Sequence, residues 1–372
     1  MNSSVSIIKC ADYEPAAVLD AVTRAVSLLG GISDFIRPKS KVLVKPNLLM
    51  AVPPDFGITT HPEVVRAAIR LLKSIDCTVM VGDGPSVWKE QVEHIDKVYA
   101  VSGIKKVCEE EGAELVNFDK RRMRKNFPLT ARLDECDHLV NIPKFKTHGM
   151  TVLTGAIKNL FGLVSGTYKL ELHKNYFDPV DFSGMLVDIL GEARPSLTII
   201  DGIVAMEGDG PGTSGKLRDE KLILAGADCA ALDSVLALIM GLKPLDILTT
   251  KEAARRGLGV ADISAIKMLG EKLEDIRTRP FLLPASSITS RVPRPLINIF
   301  KGMLKHYPYV DNAACTRCAT CLKTCPTHAI AMVKNRIAFD YKKCISCFCC
   351  QEICPASAIK VRKSLLAKFM GL

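Results

Sequence analysis

Cys315-Thr-Arg-Cys318-Ala-Thr-Cys321-Leu-Lys-Thr-Cys325-Pro326 and Cys344-Ile-Ser-Cys347-Phe-Cys-Cys350-Gln-Glu-Ile-Cys354-Pro355 are two copies of one pattern, C-x2-C-x2-C-x3-C-P. The copies are in register: 344−315, 347−318, 350−321 and 354−325 all equal 29. Ala329-Ile330 and Ala358-Ile359 keep that offset, so the duplicated unit is larger than its cysteines. Such self-similarity predicts a pseudo-symmetric pair of small units. Two-residue gaps let one tight loop present three thiolates to a common centre, with the fourth on the segment that follows.

This is the spacing of the bacterial two-cluster run, and roughly the last sixty residues resemble the dicluster ferredoxins. In that run the cysteine before proline reaches across to the other cluster. The predicted cofactors are therefore two 4Fe–4S clusters, one on Cys315, Cys318, Cys321 and Cys354, the other on Cys344, Cys347, Cys350 and Cys325. Zinc ribbons use two CxxC pairs instead, and a disulfide framework belongs to small secreted chains. Cys349 stands outside the pattern and reads as a packed spectator thiol.

The whole chain has 372 residues, room for about two or three domains. With 48% hydrophobic and 24% charged residues it reads as globular. Met1-Asn-Ser-Ser carries no basic, apolar leader, and the apolar stretch from Leu222 to Leu242 contains Asp228 and Asp233. A cytoplasmic protein without a transmembrane segment is expected, its scattered Cys10, Cys77, Cys108, Cys136 and Cys229 staying reduced. Exposed low-potential clusters suit anaerobic metabolism. The formal charge is +10, of which ten Lys/Arg and three Asp/Glu from Asp311 onward supply +7. Two clusters would cancel about four of those charges, and no basic stripe is interleaved with aromatics, so nucleic acid is not an expected partner.

Residues 1–280 alternate short apolar runs with helical patterns, the signature of βαβ units. The expected fold is α/β, an open mostly parallel sheet with helices on both faces, followed by a small α+β pseudo-symmetric ferredoxin domain. Strands are predicted at Val5–Lys9, Lys41–Lys45, Cys77–Val81, Glu114–Asn117, His138–Ile142, Ser196–Ile200 and Lys221–Ala225. Helices are predicted near 15–29, in parts of 86–111, and at Pro62–Ser74 (with Thr59 or Thr60 as cap), Met150–Phe161, Pro179–Glu192 and Cys229–Met240. The predicted division is 1–280, a Pro-rich linker or docking segment at 281–310, the ferredoxin domain at 311–361 and a basic tail at 362–372. Leu296–Lys305 and the tail from Val361 have amphipathic patterns, read as docking helices before membrane-surface ones.

The predicted strands run into polar residues: Lys45-Pro46-Asn47, Gly82-Asp83-Gly84, Pro143-Lys144-Phe145-Lys146-Thr147-His148 and Asp201-Gly202. Ligands of open α/β sheets bind outside the carboxyl ends of the strands. With Thr60-His61-Pro62, Gly155-Ala-Ile-Lys158-Asn159-Leu-Phe-Gly162 and Met206-Glu207-Gly-Asp209-Gly-Pro211, these segments stand in an order that resembles the domain-of-unknown-function 362 family, often found fused to a dicluster ferredoxin. The resemblance spans roughly residues 5–280 and implies an iron–sulfur protein.

Lys45, Lys144, Lys146 and Lys158 are too many cations for one buried site without a balancing anion. An anionic ligand, carboxylate or phosphate, is therefore expected there, with Asn47, His61 and Asn159 beside it. Lys169, Lys174 and Lys216 read as solvated. His148 and His173 are candidate proton-transfer groups, with Asp83 and Asp201 as candidate carboxylates. No HxH or HxxxH spacing favours a further metal on His61, His148 and His173. Glu207 and Asp209 flank glycines in a loop that can cradle phosphate, hold a divalent cation or simply be a loop.

The leading functional expectation is an iron–sulfur redox protein, possible as a ferredoxin-coupled oxidoreductase, whose clusters exchange electrons with the anion site and with a redox partner protein. The alternatives are a pure ferredoxin-type carrier whose large domain docks a partner enzyme, and a metallocofactor assembly or delivery protein.

Overall fold

The computed structural model describes residues 3–85, 92–166, 168–276, 279–286 and 306–362. The amphipathic segment at 296–305 and the basic tail beyond Arg362 lie outside them.

Twelve strands of the large domain are β1 Ser3–Lys9, β2 Lys41–Pro46, β3 Thr78–Val81, β4 Glu114–Leu115, β5 Arg121–Arg124, β6 Phe127–Thr130, β7 His138–Ile142, β8 Lys144–His148, β9 Val152–Thr154, β10 Leu197–Gly208, β11 Gly215–Gly226 and β12 Ile266–Gly270. All but the β5–β6 hairpin join one mixed, mostly parallel sheet of order β12-β1-β11-β10-β7-β2-β3-β4, with β8 beside β10 and β9 beside β8. Pairing of β2 with β3 and β7, and of β7 with β10, is parallel. Antiparallel pairing joins β11 to β1 and β10.

Period-2 alternation along the strands splits the core between the two faces. Val42, Val44 and Ile8 point into a cluster with helices α1 Pro15–Ser27, α2 Pro62–Lys73, α3 Val92–Val101 and α4 Ile104–Glu111. Leu43, Val5 and Ile7 point the other way, against α5 Ala156–Asn159, α7 Pro179–Ala193, α8 Cys229–Met240 and α9 Leu248–Arg255, with α6 Tyr168–Asn175 nearby. Central strands buried on both faces explain their continuous apolar runs.

Several boundaries differ from expectation. Met150–Phe161 is not one helix: it holds β9, the single-turn α5 and a 3-10 turn at Leu160–Leu163. Gly155 breaks the pattern, because a Cβ there would collide with the Asp233 carboxylate that receives the Ala156 and Ile157 N–H groups. The α2 cap is His61, whose Nδ1 accepts from Glu63 N–H at 3.2 Å. Thr60 is diverted: its hydroxyl donates to Ile142 O at 2.6 Å and accepts from Asn47 N–H. The segment Pro143–His148, expected as a loop, contains a strand.

In the C-terminal domain the offset of 29 extends to every element. The short helix Thr320–Lys323 corresponds to Cys349–Glu352, strand Ile330–Val333 to Ile359–Arg362, and Tyr307–Val310 to Arg336–Phe339. Left-handed residues match as well: Arg317, Ala319 and His328 pair with Ser346, Phe348 and Ser357. Each thiol loop therefore winds the same way.

Candidate functional site

Between β2 and β7 the chain changes direction across the sheet, since β2 leads outward to β3 and β4 while β7 lies on the other side. This is a topological switch point, where strand ends leave a crevice. Lys45, opposite Asn141 in register, closes β2 there. Its ammonium meets Asp83 Oδ1 at 2.8 Å and Pro46 O at 2.9 Å, fully buried. Asp83 also accepts the Leu48 and Gly84 N–H groups at 2.7 and 2.9 Å. Asn47, Asn159 and Asn141 form an amide chain across the switch point, at 2.9 and 2.8 Å.

Strand β8 carries Lys144, Lys146 and His148 at alternate positions, so an extended backbone turns all three to one face. All three are buried. Lys144 Nζ pairs with Asp201 Oδ2 at 2.9 Å and donates to Tyr13 Oη at 2.6 Å. Tyr13 donates to Asp201 Oδ1 at 2.8 Å and stacks on the His61 ring. Burial, only partly offset by Asp201, lowers the His61 pKa to about 4.

Lys146 donates to Ile58 O at 2.6 Å and has no carboxylate in contact among the described residues. Burial, aided by the neighbouring Lys158 charge, lowers its pKa to about 7. Lys169, expected on a solvated face, is buried and donates to Gly84 O; burial brings it to about 7 as well. Its helix has no clear apolar face to announce that burial. Lys158 lies over the Phe161 and Phe182 rings, 5.4 and 5.9 Å from their centroids. It keeps some accessible surface, yet burial is the largest influence lowering its pKa. Lys158 is therefore half-buried in a cationic cluster, or hollow, with Lys45, Lys146 and Lys169.

The C-terminal domain supplies the opposite wall. Glu352 Oε1 stands 3.1 Å from His148 Nε2. His148 Nδ1 accepts from Met150 and Thr151 N–H at 3.1 and 3.3 Å. In the neutral ring the proton therefore sits on Nε2, facing Glu352. Burial raises the Glu352 pKa, but His148, Lys158 and His173 outweigh it and hold the group at about 2. His173 stacks on Phe182, and burial lowers it to about 3. Ile353 fits among Met50, Val52, Ile58 and Met206. Thr213 Oγ1 donates to Cys354 O at 2.6 Å, and Ser357 Oγ donates to Thr213 O at 2.7 Å. Glu352 escaped the sequence reading because it sits inside a cysteine motif, where ligands monopolise attention.

The polar residues thus fall into groups. Lys45, Asp83, Lys146, His148, Lys158, Lys169, His173 and Glu352 influence one another; Tyr13, His61, Lys144 and Asp201 adjoin them. Glu207 and Asp209 are elsewhere engaged. Glu207 meets Arg279 at 2.7 Å and Arg218 at 3.2 Å, and Asp209 accepts from Ala285 N–H at 2.8 Å, so both hold the 279–286 segment.

Eight thiols line two matched small cavities. Cys315, Cys318, Cys321 and Cys354 line one, and Cys325, Cys344, Cys347 and Cys350 the other. Backbone N–H groups reach the sulfurs of the two crossing cysteines: Ala329 donates to Cys325 at 3.1 Å and Ala358 to Cys354 at 3.3 Å. Four soft donors around each matched cavity fit a cubane. Cys349 lines neither cavity and packs into the large domain's core, its thiol hydrogen-bonded to Cys347.

The fold and thiol framework define an iron–sulfur protein with an α/β domain and a ferredoxin-type domain. Residues 42–237 match the domain of unknown function DUF362, and residues 307–355 match the 4Fe-4S dicluster domain. The chain is 32% identical over 265 residues to the thylakoid-associated protein sll1697 of Synechocystis sp. (strain PCC 6803), across 69% of this chain and 81% of that protein. It belongs to the DUF362 family. Among solved structures it is similar to the lactate racemase apoprotein from Thermoanaerobacterium thermosaccharolyticum, with a TM-score of 0.40 and 16% identity. That likeness covers 64% of this chain and 57% of the other. No helix among the described residues is long and apolar enough to cross a membrane.

Proposed function

We propose that this protein is a redox protein in which two 4Fe–4S clusters exchange electrons with a carboxylate or phosphate ligand held in the cationic hollow. The carrying observation is Glu352: a residue between two cysteines of the second loop forms a wall of the hollow beside His148. Bound clusters supply single electrons. The proposed ligands are Cys315, Cys318, Cys321 and Cys354 for one and Cys344, Cys347, Cys350 and Cys325 for the other.

Charge balance supports the anion. Five lysines, Lys45, Lys144, Lys146, Lys158 and Lys169, face three carboxylates, Asp83, Asp201 and Glu352. Two lysines are paired, and the third carboxylate, Glu352, faces neutral His148 and lends its charge to Lys158, which leaves lysines in excess. Lys146, Lys158 and Lys169 are left to hold a ligand, each gaining proton affinity when an anion arrives. Neutral His148 holds its Nε2 proton toward Glu352, and His173 Nδ1, without a hydrogen-bond partner among the described residues, is open to a hydrogen bond from the ligand. Lys144, Asp201, Tyr13 and His61 anchor β8 at its first residue.

The test is anaerobic. Reduced protein is mixed with fractionated metabolites while cluster absorbance is followed in the visible, for wild type and Lys158→Ala. A fraction that reoxidises wild type but not the variant supports an enzyme and supplies its substrate class. If only a generic acceptor reoxidises both proteins, the reading fails and a pure carrier takes its place.

A further inference from the structure

The 29-residue repeat allows each cysteine loop to be compared with its twin. Spacing and backbone are shared; exposure is not. In the first loop Thr316, Arg317, Cys318 and Lys323 are exposed. Their counterparts Ile345, Ser346, Cys347 and Glu352 are all buried or part-buried, with Cys347 only 7% exposed. The side chains change to match: Phe348 and Cys349 replace Ala319 and Thr320, and Glu352 replaces Lys323. Cys347 and Cys349 join the large domain's core, and Ile345 packs against it. One half of a symmetric unit has become an internal face, while the other has kept its outer one.

We infer that the first loop is the port for electron exchange with an external protein, and that its partner is a small acidic one-electron carrier. The inference rests on the two-cluster reading above and adds a direction to it. Electron transfer falls steeply with separation, so any protein partner must approach the outward loop; the inward one is covered by the chain's own domain. Around that loop Arg317 and Lys323 are exposed, and among the described residues neither makes an ion pair. Strand Ile330–Val333 packs beside the helix bearing Lys323 and leaves Met332 and Val333 exposed. Apolar contacts flanked by unpaired cations suit an acidic partner with an apolar centre. In each exchange the carrier gives up one electron and this protein gains it, without bond making.

The test uses the full-length, cluster-loaded protein and a purified acidic 2Fe–2S ferredoxin as probe. Binding is measured by calorimetry at low and high salt, beside the anaerobic electron-exchange rate. The double variant R317E/K323E should weaken binding at least tenfold at low salt and slow exchange in step. The variant K342E/K343E, exposed on the second repeat, should stay within twofold of wild type. Equal or greater loss in the second variant, absent binding, or binding indifferent to salt would each overturn the port assignment. Iron and sulfide analysis separates the two readings: about eight of each per chain keeps the two-cluster reading, and fewer removes that reading itself.

Discussion

His148 Nε2 lies 3.1 Å from Glu352 Oε1, an ion-pair distance between residues 204 positions apart that joins β8 to the second cysteine loop. The contact puts a negative charge inside a hollow otherwise rich in lysines. A carboxylate there would compete with the charge of the proposed anionic ligand.

Removing that charge should favour the ligand. In E352Q, affinity for inorganic sulfate should rise about tenfold, the equivalent of about one pKa unit of interaction. Titration calorimetry reads it directly. Weaker binding in the variant would mean that Glu352 serves the ligand and does not compete with it.

The hollow's affinity should also follow pH. Lys146 and Lys169 titrate at about 7, against an ordinary 10.5. Below about 7 both are charged and hold an anion; above it each loses its proton and its attraction. Sulfate, whose charge is constant, should therefore bind progressively more weakly from about pH 6 to 9, and Lys146→Met should flatten the slope. The stability sign is opposite: between about 7 and 10.5 the unfolded chain binds more protons, so the ligand-free fold gains stability as pH rises. A flat binding profile in wild type would remove these lysines from the anion's reach.

The Lys45–Asp83 pair makes a different prediction. Breaking a buried pair strands a charge, which typically costs about 3–5 kcal/mol. Lys45→Met should lower the melting temperature sharply, while Lys45→Met with Asp83→Asn should recover part of the loss. Equal losses in the two variants would show that Asp83 stands alone through its backbone bonds to Leu48 and Gly84.

Cysteine substitutions test the thiol assignment. Cys349→Ala should keep the full iron and sulfide content, because Cys349 lines neither cavity. Cys347→Ser should lose about half of the iron, the share of one cluster in two. Iron analysis and low-temperature electron paramagnetic resonance give the answer. Loss of iron in the first variant would make Cys349 a ligand.

Local pattern was legible where one principle acts alone. The cysteine repeat and the α/β alternation needed only spacing and hydrophobic period. The α8 helix, Cys229–Met240, ended where Gly241 allowed a left-handed turn. Lys144-Phe145-Lys146-Thr147-His148 misled because lysine and histidine read as loop; only the contacts from Asp201, Ile58 and Glu352 make them tolerable in a buried strand. Alternation at 144, 146 and 148 was the available signal. Lys169 and Glu352 carried none, since their burial is set by elements far away in the chain.

Glu352 and Ile353 lie within the three residues that separate Cys350 from Cys354. Their position therefore depends on the same loop whose cysteines must converge. The same short segment packs Ile353 among Met50, Val52 and Ile58 and sets Glu352 against His148. If the clusters bind as proposed, filling the second thiol site and fixing the Glu352 side of the lysine cluster would be coupled in one step.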